Sequence, residues 1–134
     1  GAGGVFKQML INTGSGDMLA NYFAEMGLST LFFAFIVAAL VRILQGSATV
    51  AMITAAGVTA PLLLSTTGEM DKALLVIAIA AGASIMSHVN DSGFWLVSKY
   101  LGLSEKQTFR SWTMMTTILA LTGFTTVWVL SLFI

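Results

Sequence analysis

"SHVNDSGFW", residues 87–95, is the stretch on which the reading of this chain turns. It follows the uncharged run "ALLVIAIAAGASIM" (73–86) and precedes "LVSKYLG" (96–102). A histidine, an asparagine, an aspartate, two serines and a glycine thus interrupt the most apolar part of the sequence. In water such a cluster is an ordinary turn. In hydrocarbon it is expensive, because backbone groups freed from a helix and an ionisable side chain find no water to bond.

Composition identifies the solvent. Hydrophobic residues make up 57% of the 134 and charged residues 9%, with a mean hydropathy of +0.91, whereas soluble domains carry about a quarter charged residues. The fold class expected is an all-α polytopic membrane protein in contact with the lipid bilayer. Six basic and six acidic side chains cancel, so the electrostatic footprint of a nucleic-acid partner is missing. With no cysteine, disulfides and thiolate chemistry are excluded, and no metal site or cofactor is implied. The chain opens "GAGGVFKQML", without an initiator Met or a basic signal region, and reads as a piece of something longer.

Charges divide the chain into segments near the length of about 20 apolar residues that a span needs. Residues 27–68 read as a span plus a hairpin: "GLSTLFFAFIVAALV" (27–41) ends at Arg42, placed to snorkel to the interface, with a clamp on a carboxylate as the alternative. After it, 43–68 is uncharged but interrupted by "QGSAT" and Pro61. Residues 73–100 form a broken span and 111–134 a final span. Residues 1–26 read as short amphipathic or end-of-span helices, with apolar spacing at Val5, Phe6, Met9 and Leu10 before "TGSGD". Lys99, Lys106 and Arg110 against Glu105 put the loop 98–110 on the cytoplasmic side and the C-terminus outside.

Two breaks carry the chemistry: "QGSAT" (45–49) and "HVNDSG" (88–93). A pair of Gly-interrupted apolar segments points to the midplane site of a secondary transporter, where half-helix N-termini face anions and freed carbonyls face cations. The first break suits the tip of a re-entrant hairpin or an oblique span. Asp91 is the sharpest residue, since desolvation opposes its ionisation and such groups mark proton paths. Three residues earlier stands His88, of the side-chain type suited to exchanging protons at physiological pH, and it completes a candidate proton-handling pair. The competing readings are structural: a helix-surface pair and an ordinary "NDSG" turn, with the small residues of "QGSAT" packing helices closely.

"LQGSATVAM", "SHVNDSGFWLVSKYLGLSEKQT" and "SWTMMTTILALTGF", in that order and preceded by "GAGGVF", resemble the C-terminal portion of the gluconate permease family. The resemblance spans the whole chain. It implies a bacterial inner-membrane, multi-pass symporter of protons with gluconate or a related sugar acid, one part of an inverted-repeat transporter with broken helices and re-entrant hairpins. Family members also carry D-serine and fructuronate. The N-terminal part of the transporter, with the opposing half of the site, is expected as a partner outside this chain, and a homo-oligomer is compatible with it. On this reading Gln45, Gly46, Ser47, Thr49, Ser87, Asn90, Ser92 and Gly93 bind the carboxylate and hydroxyls of a small organic anion, and Asp91 with His88 couples the proton. Helix N-termini following Gly46 and Gly93 add positive dipole. The rivals are a membrane enzyme using His88 and Asp91 as acid and base, which lacks a nucleophile constellation, and a non-catalytic helix-bundle subunit.

Overall fold

The computed structural model describes residues 29–63 and 68–133, with the separate positions 4, 5, 8, 9, 12–14, 18 and 22. Most of the helices expected over 1–26 and the whole link 64–67 lie outside the described residues. Every regular element described from Thr30 onward is helical. Helix α1 is Thr30–Gln45, α2 Ala48–Leu63, α3 Glu69–Ser84, α4 Ser92–Tyr100, and α5 the continuous helix Glu105–Ser131.

Each boundary has a local cause. The hydroxyl of Ser29 accepts from the Phe32 amide at the start of α1, which runs without Gly or Pro until Gly46 takes a left-handed φ of 82° and returns its N–H to Arg42 O. Ser47 then caps α2, accepting from the Val50 amide at 3.3 Å. Glu69 and Asp71 lie in the first turn of α3, where carboxylates complement the helix dipole. Ser104 and Gln107 form a reciprocal capping box at the start of α5.

The first break is therefore a two-residue connection between helices of 16 residues each. Packing along both makes them antiparallel neighbours. Phe33, Ala34, Val37, Ala38 and Val41 of α1 meet Ala51, Ala55 and Val58 of α2, and Leu75, Ile79 and Ala83 of α3 close that core. The expected division at residue 42 is absent, and α2 continues past Pro61 to Leu63. At 1.5 Å per residue each helix is about 24 Å long, short of the hydrocarbon thickness of about 30 Å.

A second cluster joins α5 to this group through Phe35, Leu74, Ala78, Ala81, Phe124 and Val127, with Phe35 and Phe124 stacked at 4.3 Å between ring centroids. Gly82 permits the closest approach, since a Cβ there would lie 2.4 Å from the Phe35 carbonyl oxygen. Helix α5 is 27 residues long and is, among the described residues, the helix long and apolar enough to cross a membrane. It starts six residues before the expected 111, so most of the basic loop is helical and the true connection after α4 is residues 101–104. Its turn at Phe109–Thr113 is π-helical, a distortion frequent at functional positions.

Candidate functional site

The break in the 73–100 segment opens earlier than the polar residues suggest. Helix α3 stops at Ser84, Ile85 is extended, and Met86 takes a positive φ of 47°. That conformation costs an L-residue about 1–2 kcal/mol and persists where surrounding bonds over-determine it. Here they come from α5. Ser87 is fully buried; its N–H donates to Thr116 Oγ1 at 3.2 Å, its carbonyl accepts from Thr113 Oγ1 at 2.5 Å, and its hydroxyl accepts from Trp112 Nε1 at 2.7 Å. A turn closed by the Asp91 amide on His88 O then delivers Asp91 to the N-cap of α4, where Oδ1 accepts from the Gly93 amide at 3.1 Å.

The two breaks meet. Gly46 packs directly on Asn90: a Cβ on Gly46 would stand 2.5 Å from Asn90 Cβ and 2.8 Å from its carbonyl oxygen. His88 Nδ1 accepts from the Asn90 amide at 3.2 Å, so Nε2 carries the proton and donates to Ile43 O at 3.0 Å. His88 thus ties the second break to the end of α1. No side-chain bond joins His88 to Asp91 among the described residues.

Arg42 is the hub. The expectation that it snorkels is corrected: the residue is 3% exposed. Its Nε donates to Ile85 O at 3.3 Å, one terminal nitrogen to Gly46 O, and the other to Asp91 Oδ2 at 2.5 Å. The same Oδ2 accepts from the Ser87 hydroxyl. Snorkelling fails because Gly46 turns the chain back immediately after Arg42, so the side chain is enclosed between the breaks rather than led to an interface. Asp91 is accordingly no lone carboxylate but half of an ion pair.

The sequence-derived site residues sort into two groups. Gly46, Ser47, Ser87, His88, Asp91 and Gly93 build the junction through the contacts above. Gln45, Thr49, Asn90 and Ser92 are exposed, and among the described residues their side chains make no hydrogen bond. Both breaks therefore present unspent amide and hydroxyl groups, beside the N-termini of α2 and α4. Residue-type reasoning preferred a snorkelling Arg42 to one that clamps a carboxylate, and it missed Trp112, Thr113 and Thr116. The available signal was charge balance: one cation and one carboxylate, each inside an otherwise uncharged stretch, are natural partners. The threonines carried no signal, because Thr is abundant throughout α5.

A groove of about 460 Å³ on α5, lined by Leu121, Thr122, Thr125, Thr126, Val129 and Leu130, is a poorer candidate. Its threonine hydroxyls are spent on carbonyls of their own helix, and it has no charged group. No cluster of metal-ligating side chains occurs among the described residues.

Comparison with known proteins agrees with the resemblance. Residues 1–133 match the family described as GntP family permease. A gluconate permease of Pseudomonas aeruginosa is 47% identical over 132 residues, covering 98% of this chain and 29% of the relative. The low-affinity gluconate transporter of Escherichia coli K12 is 49% identical over 125 residues, 92% of this chain and 28% of the relative. An uncharacterized permease of Bacillus subtilis, YojA, is 50% identical over 123 residues, 92% of this chain and 27% of the relative. The chain thus spans well under a third of the length of these relatives. No solved structure matches. A chain matched along nearly its whole length by one permease family, with the polar breaks such a protein would need, belongs to the GntP permease family.

Proposed function

We propose that this chain forms one wall of the substrate path in a bacterial inner-membrane symporter that takes up gluconate, or a related sugar acid, together with protons. The observation that carries the reading is the meeting of the two helix breaks. It gathers exposed, unspent polar side chains of Gln45, Thr49, Asn90 and Ser92, two helix N-termini and the Arg42–Asp91 pair in one place. Amides and hydroxyls suit the hydroxyls of a sugar acid, and the helix N-termini suit its carboxylate. Relatives named gluconate permease or gluconate transporter supply the substrate class.

In this reading α1 and α2 form a re-entrant hairpin whose tip, residues 45–49, reaches the middle of the bilayer. Two helices of about 24 Å suit entry and return better than two crossings. Residues 69–100 then cross as a broken span and α5 crosses back, with Lys99, Lys106 and Arg110 on the cytoplasmic side. The remainder of the transporter covers the exposed faces of Gln45, Thr49, Asn90 and Ser92. Asp91 carries the proton.

The test is uptake by the full-length transporter in proteoliposomes under an imposed pH gradient, with gluconate, fructuronate and D-serine in competition. Gluconate or fructuronate should accumulate and compete best. Uptake that ignores both sugar acids, or that survives Thr49→Ala and Asn90→Ala with unchanged affinity, would overturn the reading.

A further inference from the structure

The junction contains one buried cation and one carboxylate, and this balance constrains how an anion could enter. Among the described residues Asp91 is the acid that reaches Arg42. The groups facing Asp91 from the packed elements are Arg42 of α1, Ser87 and the Gly93 amide of its own segment, and, through Ser87, Trp112, Thr113 and Thr116 of α5. Helix α2 carries no charge. Glu69, Asp71 and Lys72 sit at the far end of α3, about 20 Å of helix from Ser84. Lys99 lies at the far end of α4, and Glu105, Lys106 and Arg110 lie in the first turns of α5. His88 is engaged with Ile43 O and the Asn90 amide.

We propose that Arg42 is a substrate-binding residue that exchanges partners: it holds the Asp91 carboxylate in the empty transporter, and the carboxylate of the incoming anion once Asp91 has taken up a proton. The exchange rests on the sugar-acid symport reading. A proton from the water facing the site bonds to an Asp91 carboxylate oxygen, and the ion pair opens. The substrate carboxylate then takes the vacated side of the guanidinium. On the other side of the membrane the anion leaves, Asp91 returns its proton to water, and the pair re-forms.

The geometry suits this sequence of events. The Arg42 side chain is 4% exposed and that of Asp91 15%, so the carboxylate is the more open member, beside exposed Asn90 and Ser92. Arg42 need not move, because two of its nitrogens stay anchored on Ile85 O and Gly46 O. Ser87, which donates to ionised Asp91, can rotate its hydroxyl and accept from the protonated acid. A buried guanidinium left without a carboxylate is strongly disfavoured. Protonation alone and anion binding alone are therefore both suppressed, and one proton accompanies each carboxylate.

The full-length transporter in proteoliposomes, with gluconate as probe, tests the exchange. One proton and one monovalent anion carry no net charge. Gluconate should therefore accumulate under a pH gradient and show no uphill uptake under an imposed membrane potential at equal pH. Uphill uptake driven by potential alone overturns the exchange, and this measurement needs no variant. Asp91→Asn should lose accumulation yet retain gluconate counterflow. Its affinity should be flat with pH, where that of the parent weakens by up to about tenfold per pH unit. Adding Arg42→Gln to Asp91→Asn, which leaves the junction uncharged, should abolish the preference for gluconate over uncharged glucitol. A double variant that binds gluconate as tightly as Asp91→Asn overturns the assignment. A parent that takes up no sugar acid under any gradient overturns the symport reading itself, and a parent that takes it up with net charge overturns the exchange alone.

Discussion

Gly46→Ala probes whether the two breaks are locked against one another. Two effects add. At φ 82° any L-residue incurs about 1–2 kcal/mol of left-handed strain. The new methyl would also stand 2.5 Å from Asn90 Cβ, 2.7 Å from its carbonyl carbon and 2.8 Å from its carbonyl oxygen. Two of those atoms are backbone, held by the turn that closes on His88 O, so no rotamer change relieves the overlap. Overpacking of this kind costs about 1–3 kcal/mol, and the sum is on the order of 2–5 kcal/mol. Gly102→Ala is the matched control, because Gly102 has a φ of 63° and a Cβ added there would meet nothing within 4 Å; it should show the strain alone. Reversible unfolding of the full-length transporter in mixed micelles measures both. Gly46→Ala should exceed Gly102→Ala by about 1–3 kcal/mol and lose gluconate uptake. Equal destabilisation would refute the packing of the first break on the second.

Four further outcomes are expected. Thr49→Ala should leave stability unchanged, because the side chain is exposed and unbonded, and should weaken gluconate binding by about 0.5–1.5 kcal/mol. Ser47→Ala should also destabilise by about 0.5–2 kcal/mol, because it removes the cap of α2; unfolding and uptake affinity together separate the two. Trp112→Phe keeps a ring but deletes the donor to Ser87 Oγ, and should destabilise by about 0.5–1.5 kcal/mol. An unchanged unfolding midpoint would remove Trp112 from the network. For topology, in a background otherwise free of cysteine, Gln107→Cys should be shielded from impermeant thiol reagent outside intact cells while Glu69→Cys reacts; the reverse pattern would invert the orientation.

Much of the helix pattern is legible in the residues. Apolar runs predict helix over most of 30–45, 73–84 and 111–131, and "QGSAT" and "HVNDSG" mark where helix fails. Boundaries are less legible. Residues 98–110 look like a charged loop, yet the Ser104–Gln107 capping box starts α5 inside it. Arg42 looks like the end of a span because Arg commonly is one, and only the left-handed turn at Gly46 shows that the helix ends there and folds back.

What the sequence alone determined is the solvent, the helices and the two places where they break. Those depend on composition and on signals within a few residues, such as a glycine, a cap or an uncharged run. Only the tertiary structure decided what each polar residue of the breaks does. Arg42 and Asp91 are 49 positions apart, and Trp112 lies 25 positions beyond Ser87. No local preference encodes such pairs. They form because α1, α3 and α5 pack through Phe35, Ala78, Ala81 and Phe124, which brings the C-terminal ends of α1 and α3 against the Trp112–Thr116 stretch of α5. Buried there, each donor was left to the acceptors which that packing supplied.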